Sequence, residues 1–148
     1  MTIYFEDLTD DAIESMRVTV TEAHIVTFAG LTGDFNPLHM DEVAASDGPF
    51  GRRIAHGMLS YSLSTGMRSA IDDWAILAFM GTQRSFLAPV FIGDTLHYRA
   101  RLQSGRRSAS RPDRAIVVVE LNLLNQQGQV VQAGEDTFAV ACRPEDLS

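Results

Sequence analysis

The stretch that decides the fold runs from Gly57 to Ile71 and reads GMLSYSLSTGMRSAI. Apolar residues recur along it, and most of the remaining positions are Ser, Thr, Gly or Ala. Small side chains on several sides allow a helix to approach a neighbouring sheet closely. The pattern therefore predicts a helix that covers one face of a sheet.

The C-terminal half of the chain carries the pattern of that sheet. Apolar runs rich in β-branched and aromatic residues, separated by turn residues, predict strands over 74–86, 95–102, 115–124 and 130–142. The first strand is expected to bend at Gly81. The polar stretch Ser104–Asp113 is predicted to form a long hairpin loop between two strands.

The N-terminal part of the chain predicts shorter elements. Residues 16–20 fit a short strand, Thr21 fits the N-cap of a helix through Ala29, and residues 41–45 fit another short helix. Helical elements followed by antiparallel strands indicate the α+β class. A length of 148 residues without a linker fits a single domain over residues 1–148.

Composition limits the classes of function. Nineteen acidic residues against twelve basic ones give a net charge of −7, and every basic residue is arginine. The absence of lysine excludes a lysine Schiff base and a lysine-dependent phosphate loop. A negative net charge argues against nucleic-acid binding. No basic region precedes an apolar run at the N-terminus, and no run reaches the ~20 apolar residues that span a bilayer, so we expect a cytoplasmic protein without membrane association.

A single cysteine, Cys142, cannot form an internal disulfide or a zinc site by itself. It lies in the apolar run 138–142, FAVAC. We therefore expect a buried structural thiol rather than a nucleophile.

The run from Leu31 to His39 reads LTGDFNPLH and carries an acid and a histidine five residues apart. Pro37 fixes its own φ and favours an extended conformation at Asn36, which predicts a shaped loop. Such a loop can direct Asp34 and His39 into one cavity, where a carboxylate and an imidazole form an acid–base pair that acts near neutral pH. Asp-x-Asn-Pro is also turn chemistry, so these residues alone leave open that Asp34 only caps backbone groups.

Gly57 marks the predicted start of the buried helix, at the end of the run FGRRIAHGMLS over 50–60. Backbone N–H groups at a helix N-terminus are unpaired donors with a favourable dipole. A glycine there leaves room for a substrate carbonyl. This arrangement predicts an oxyanion hole for an enolate-like thioester.

The segments TGDFNPLHMD (32–41) and RRIAHGMLS (52–60) resemble motifs of the MaoC-like dehydratases and (R)-specific enoyl-CoA hydratases. The run 85–94 extends this resemblance over about residues 17 to 100. The resemblance implies a single hot-dog fold, in which a curved antiparallel β-sheet wraps around one long central α-helix. It also implies a homodimer whose two sheets are continuous.

The activity implied by the resemblance is reversible syn addition of water to a trans-2-enoyl thioester, giving an (R)-3-hydroxyacyl thioester. Asp34 and His39 correspond to the catalytic pair of the family, and Gly57 to its backbone oxyanion donor. Asn36 matches the motif asparagine, and Thr65 falls where some members carry a serine near the catalytic water. No metal or redox cofactor is implied, and coenzyme A or the phosphopantetheine of acyl carrier protein enters only as part of the substrate.

Two further residues complete the candidate substrate-binding set of Asn36, Thr65, His56 and Arg84. His56 precedes Gly57, where it orders the loop or acts as a second base. Arg84 interrupts an apolar strand. It is either ion-paired or exposed at an edge, or it faces the acyl tunnel and recognises a carboxylate or another polar group. Four more arginines cluster in the predicted loop, either solvated or in contact with carrier phosphates: Arg106, Arg107, Arg111 and Arg114.

Other functions remain open at this point. An acyl-thioesterase or an enzyme of Michael-type amine addition would reuse the oxyanion donor, and Arg84 keeps the latter option open. A non-catalytic acyl-thioester-binding subunit is a third possibility. The pairing of Asp34 with His39 favours hydration over thioester cleavage and argues against a silent subunit.

Overall fold

The sheet is built from four long antiparallel strands and two short ones. The computed structural model describes residues 1–144, so the last four residues of the predicted domain, 145–148, lie outside the described residues. The short strands are β1 (Ile13–Glu14) and β2 (Val18–Thr19), and the long ones are β3 (Ile76–Phe86), β4 (Thr95–Arg107), β5 (Arg114–Leu124) and β6 (Val130–Ala141). The strand order is β1-β4-β5-β6-β3, with β2 also paired to β4.

Four helices accompany this sheet: α1 (Glu22–Thr32), α2 (Pro37–Met40), α3 (Glu42–Ser46) and α4 (Gly57–Gly66). Short 3-10 turns lie at Phe5–Asp7 and Ala70–Asp73. Thr21 is the N-cap of α1, as predicted, and α1 ends at Gly33 in the left-handed region with φ 79°. Within residues 1–144, no helix has the length and apolar character needed to cross a membrane.

Helix α4 is the central helix, and it is shorter than its apolar pattern indicated. It ends at Gly66, where Met67 adopts an extended conformation (φ −69°, ψ 117°). Ile71, the last apolar position of the pattern, lies in the separate 3-10 turn, which Ser69 caps through its hydroxyl. The apolar pattern up to Ile71 therefore spans two elements rather than one long helix, and Ile71 packs half-buried against the core.

Packing of α4 on the sheet forms the core. Leu59, Ser60 and Ser64 of α4 are buried. They lie against an interior made largely of alternating strand residues, which include Leu96, Val117, Val119, Leu121, Leu123, Val131 and Val140. The two small serines on the buried face allow the close approach that the sequence predicted.

The sheet is curved, because its ladders contain several register shifts. In the pairing of β3 with β6, shifts lie between Ile76 and Ala78 and between Phe79 and Gly81. A β-bulge bends the strand that carries it and increases its twist. The predicted bend at Gly81 and the α+β class with a curved antiparallel sheet are confirmed.

The hairpin between β4 and β5 corrects the prediction for Ser104–Asp113. The ladder continues through Arg107, which pairs with Ala115, so the connection covers only 108–113. A register shift between Leu102 and Ser104 lets the strand continue into this polar sequence, since ladder hydrogen bonds involve the backbone. The predicted arginine cluster is divided accordingly, and Arg114 donates to Asp113 at 2.8 Å.

Two further features of the sheet matter below. Strand β3 forms one edge, and it exposes apolar side chains: Ile76, Leu77, Phe79, Met80 and Phe86. Cys142 follows β6 and is buried, as predicted, and burial raises the pKa of its thiol. A buried thiol with a raised pKa is a poor nucleophile at neutral pH.

Candidate active site

The loop between α1 and α2 positions Asp34. The left-handed Gly33 turns the chain out of α1, and the backbone N–H of Asp34 donates to Thr32 Oγ1 at 3.2 Å. Asp34 Oδ1 accepts from the backbone N–H of Asn36 at 3.2 Å. The Asn36 side chain accepts from the N–H of Leu38 at 2.9 Å and so caps α2, which begins at Pro37. The turn chemistry and the acid–base geometry therefore occur together, since Asp34 Oδ2 stays available.

His39 lies on α2 with its ring directed at Asp34. Its Nδ1 lies 2.8 Å from the backbone carbonyl of Ile54. A carbonyl only accepts, so Nδ1 carries the hydrogen and the neutral ring keeps an unprotonated Nε2. That Nε2 lies 3.9 Å from Asp34 Oδ2. The separation is too long for a direct hydrogen bond and suits one bridging atom between the two groups.

His56 supports this pair from the interior. Its side chain is only 3% exposed, and Nε2 donates to the backbone carbonyl of Asp34 at 2.9 Å. Its ring stacks on that of His39, with 4.0 Å between centroids, and lies 5.0 Å from the Phe28 ring. His56 is also the N-cap of α4. It therefore joins the Asp34 loop, the His39 ring and the start of the central helix.

Asp34, His39 and His56 could also be considered as metal ligands, because one ligand atom of each lies within 4.8 Å of the others. A metal at about 2 Å from two imidazole nitrogens lies near both ring planes. The two rings are stacked with only 29° between their planes, so their in-plane lone pairs do not converge at that distance. Moreover, one nitrogen of each ring already holds a backbone carbonyl. The cluster fits proton transfer better than metal binding.

Gly57 begins α4 beside a cavity of about 270 Å³. A side chain at Gly57 would place its Cβ 3.0 Å from two carbons of the Phe86 ring. The first N–H groups of a helix have no intrahelical partner, so the Gly57 N–H is suited to hold a developing oxyanion. The structure thus places Gly57 at the helix start that its predicted role requires.

Two residues of this cavity, Ser60 and Gln132, were not found from the sequence. Both are buried, at 0% and 2% exposure, and Gln132 Nε2 donates to the carbonyl of Gly57 at 3.0 Å. Gln132 interrupts the apolar run VVQA at 130–133, which was a usable signal for a polar residue in the interior. Ser60 belongs to a helix rich in serine and offers no such signal.

Arg84 is held in an ion pair. Its side chain is 4% exposed, with one guanidinium nitrogen 2.9 Å from Asp136 Oδ2 and another 3.3 Å from Ser64 Oγ. The guanidinium also lies over the Tyr61 ring at 4.8 Å. Of the two alternatives for Arg84, the structure shows the ion-paired one. Asp136 already neutralises the guanidinium charge that a substrate carboxylate would need.

Thr65 lies on α4 two turns beyond Gly57 and lines a second cavity of about 640 Å³. Its hydroxyl donates to the Ser62 carbonyl at 2.7 Å. The cavity wall is mainly apolar and aromatic, and includes Met67, Trp74, Phe79 and Phe138. The structure therefore places Thr65 and the Arg84–Asp136 pair along α4 and the sheet, while Asp34, Asn36, His39 and His56 gather at the helix start.

Similarity to known proteins identifies the family of this chain. A family model described as a MaoC like domain matches residues 5–122. The (R)-specific enoyl-CoA hydratase of Rhodospirillum rubrum is 32% identical over 140 residues, which are 95% of this chain and 93% of that protein. The 3-hydroxybutyryl-CoA dehydratase of Methylorubrum extorquens is 36% identical over 103 residues, covering 70% of this chain. This match spans only 58% of the Methylorubrum relative.

Solved structures show the same fold. The crystal structure of a MaoC-like dehydratase from Rhodospirillum rubrum matches with a TM-score of 0.83 at 33% identity, covering 96% of this chain and 99% of that one. A Mycobacterium tuberculosis protein described as a double hotdog fold matches with a TM-score of 0.80 at 15% identity. It covers 97% of this chain and 46% of that one, and this likeness shows the fold alone. The hot-dog fold is confirmed, and the chain belongs to the MaoC-like dehydratase family that its two motifs indicated.

Proposed function

We propose that this chain catalyses the reversible syn addition of water to a trans-2-enoyl thioester, giving an (R)-3-hydroxyacyl thioester. The observation that carries the proposal is the 3.9 Å separation of His39 Nε2 and Asp34 Oδ2. The names of the relatives, an (R)-specific enoyl-CoA hydratase and a 3-hydroxybutyryl-CoA dehydratase, support this class of reaction. The carrier is coenzyme A or acyl carrier protein.

The two groups suit a single water molecule. Asp34 is half exposed, so its carboxylate accepts hydrogen bonds, and His39 Nε2 is held as an acceptor by the bond at Nδ1. A water between them donates one hydrogen bond to each and directs its oxygen lone pair at C3 of the enoyl group. Its hydroxyl adds to C3, one proton passes to the pair, and the pair returns one proton to C2. The pair therefore ends the reaction unchanged, and no metal or redox cofactor is needed.

The Gly57 N–H is the group that stabilises negative charge on the thioester oxygen. As water adds to C3, electrons move through C2 onto the thioester oxygen, and the Gly57 N–H stabilises this enolate. An oxyanion donor of this kind typically contributes ~3 kcal/mol to the transition state. Gln132, which holds the Gly57 carbonyl, supports the helix start at which the donor lies.

The acyl tail fits the 640 Å³ cavity along α4. Its wall is largely apolar, and the hydroxyl and carboxylate groups that line it have hydrogen-bond partners within the protein. Asp136 accepts from Thr82 and Arg84, and the Tyr98 hydroxyl donates to Ser69 at 2.6 Å. A wall whose polar groups are already paired favours an apolar occupant.

We also propose that two copies pair through β3. This edge strand exposes Leu77, Phe79 and Met80, which are 48%, 51% and 57% accessible. An exposed apolar edge strand favours pairing with another strand, and a second copy of the chain supplies an identical edge strand. Light scattering with size-exclusion chromatography tests this directly. We expect a dimer for the native chain and a monomer for Leu77→Lys, while a monomeric native chain would contradict the pairing.

The activity is tested with crotonyl-CoA and longer trans-2-enoyl-CoA thioesters. Loss of the enoyl absorbance is followed together with the release of free thiol, and the configuration of the product is determined by chiral chromatography. We expect loss of absorbance without thiol release and an (R)-3-hydroxyacyl product. Thiol release would instead show a thioesterase. Binding without turnover of any chain length, on coenzyme A or on acyl carrier protein, would leave only a thioester-binding subunit.

A further inference from the structure

Two residues that line the cavity beside Gly57 each carry a buried polar atom without a hydrogen-bond partner. They are Ser60 Oγ and Gln132 Oε1, and neither has a partner among residues 1–144. Both residues line the cavity together with Gly57 and Phe86. Leaving a buried polar atom unpaired is costly, so atoms of this kind in the wall of a cavity point to a polar occupant.

The orientation of the Gln132 amide follows from its other bond. The Gly57 carbonyl only accepts, so the group that faces it at 3.0 Å is the Gln132 amide nitrogen. The remaining atom, Oε1, can therefore only accept. Ser60 Oγ, in contrast, can donate as well as accept. The occupant must offer at least one N–H or O–H group to Gln132.

The second cavity provides a contrast. Its lining carboxylate and hydroxyl groups all have partners within the protein, and they belong to Asp72, Asp136, Tyr98, Ser64 and Thr65. Only the smaller cavity beside Gly57 combines the predicted oxyanion donor with unsatisfied polar groups in the described part of the chain. The two cavities therefore suit different parts of one ligand, one apolar and one polar.

We propose that Ser60 and Gln132 form a subsite for a secondary amide of the thioester's carrier arm, an inference that rests on the proposed function. A secondary amide offers one N–H, which Gln132 Oε1 accepts, and one carbonyl oxygen, to which the Ser60 hydroxyl donates. This is the donor and acceptor pair that the two side chains lack. The apolar acyl tail has no group of either kind.

The spacing along α4 agrees with this assignment. Ser60 lies three residues beyond Gly57, a rise of roughly 4.5 Å along the helix. In a thioester of coenzyme A or acyl carrier protein, a sulfur and two methylenes separate the thioester carbonyl from the first amide nitrogen. A carbonyl at the Gly57 N–H can thus place this amide beside Ser60. Gln132 reaches the same place, because its amide nitrogen is already bonded to Gly57.

The test compares two saturated ligands, which the enzyme cannot hydrate. One is the butyryl thioester of N-acetylcysteamine, and the other is its analogue with a methylene in place of the amide N–H. Dissociation constants are measured by NMR titration. We expect the native protein to bind the amide ligand about 5- to 10-fold more tightly, as suits one hydrogen bond. In Gln132→Met, which keeps the side-chain length but has no oxygen acceptor, we expect the two ligands to bind within about 2-fold of each other.

Two other variants separate the roles of the residues. Ser60→Ala is expected to weaken the binding of both ligands and to preserve the ratio of their dissociation constants, since both ligands keep the carbonyl to which Ser60 donates. The matched controls Gln127→Met, in an exposed turn, and Ser62→Ala, on the exposed face of α4, should change neither the affinities nor the ratio.

Three outcomes would overturn the subsite. The first is a ratio of the two dissociation constants near one in the native protein, which would indicate that the cavity holds only water. The second is a ratio that is unchanged in Gln132→Met, and the third is no binding of either ligand. The proposed function is judged separately by hydration of crotonyl-CoA. If the protein hydrates crotonyl-CoA but Gln132→Met does not change the affinity ratio of the two ligands, only the subsite is contradicted. If the variant changes the ratio but the native protein does not hydrate crotonyl-CoA, only the proposed reaction is contradicted.

Discussion

The rings of His39 and His56 stack face to face, with 4.0 Å between their centroids and 29° between their planes. Each ring donates from one nitrogen to a backbone carbonyl, His39 to Ile54 and His56 to Asp34. The stack therefore links the loop that carries Asp34 with α2 and the start of α4. His56 is buried, so it contacts both members of the proposed acid–base pair from the interior.

We expect His56→Phe to lower kcat about 10- to 100-fold with little change in KM. Phenylalanine keeps an aromatic ring against His39 but has no donor for the Asp34 carbonyl, so the carboxylate is no longer fixed, and small displacements of catalytic groups are costly. Steady-state kinetics with an enoyl-CoA and a circular-dichroism melt measure the two effects. His24→Gln, on α1, is the matched control. A lowered melting temperature with an unchanged kcat would make His56 a purely structural residue.

The acid–base pair itself is tested by Asp34→Asn and His39→Ala. Asparagine cannot take up a proton near neutral pH, and alanine has no imidazole. Each variant therefore removes one of the two groups that exchange protons in the proposed reaction, so we expect each to lower kcat at least ~100-fold. Folding should be retained, since Asp34 is half exposed and His39 lies on a four-residue helix near the surface. The exposed Asp47→Asn is the control for loss of a carboxylate outside the site. Near-native activity in either variant would remove that residue from the mechanism.

The sequence was sufficient for the fold class and for the position of the pair. Pro37 and the cap at Asn36 imposed a local geometry. The alternation of apolar and polar residues along the strands indicated which faces are buried. Local rules of this kind act within a few residues, which is why they hold without tertiary information. The same reasoning placed Thr21 at the start of α1.

The parts that the sequence did not predict depend on distant contacts. Arg84 interrupts an apolar strand, but its partner Asp136 lies 52 residues away, and no local pattern joins them. The extent of β4 was missed because a bulge at Leu102 to Ser104 keeps a polar segment in the ladder. Ser60 and Gln132 are candidate site residues only because the fold brings both to the cavity beside Gly57.

Gly57→Ala is expected to lower kcat/KM strongly, because the added Cβ would meet the Phe86 ring at 3.0 Å and fill the approach to the N–H donor. Steric conflict with Phe86 is separated from blocked substrate by the double variant Gly57→Ala/Phe86→Leu. We expect it to recover stability in urea denaturation but not activity. Gly30→Ala, inside α1 with no atom within 4 Å of the added Cβ, is the control and should stabilise the fold by up to ~1 kcal/mol. Full activity in the double variant would argue against an oxyanion role.

The Arg84–Asp136 pair is expected to act as a unit. Arg84→Met leaves the Asp136 carboxylate buried without its cation, so we expect the free energy of unfolding to fall by about 3 kcal/mol or more. Arg84→Met/Asp136→Asn should recover much of this loss, since asparagine still accepts from Thr82 and carries no charge. Arg99→Met breaks the exposed pair with Glu14 and should cost less than ~1 kcal/mol. If the double variant is stable but inactive on apolar enoyl thioesters, Arg84 contributes to substrate binding after all.

The dependence of stability on pH gives a test at His97. This residue is buried on β4, and burial, with the charges of Arg17 and Arg99, lowers the pKa of His97 below its ordinary 6.5, against the opposing charge of Glu14. At a pH between the lowered folded value and 6.5, the unfolded chain binds more protons than the folded one, so the free energy of unfolding falls as the pH decreases through this window. His97→Gln removes this contribution. We therefore expect urea denaturation at about pH 7.5 and about pH 5.5 to show a smaller loss of stability on acidification for the variant than for the native protein.

The comparison at the higher pH serves as its internal control. There His97 is neutral in both the folded and the unfolded chain, so any difference between variant and native protein reports packing alone. The remaining acidic and histidine groups titrate in both proteins, so their contributions cancel when the two pH dependences are subtracted. Equal losses of stability on acidification in both proteins would show that His97 takes up its proton as readily in the folded chain as in the unfolded one. That result would contradict burial as the dominant influence on this ring.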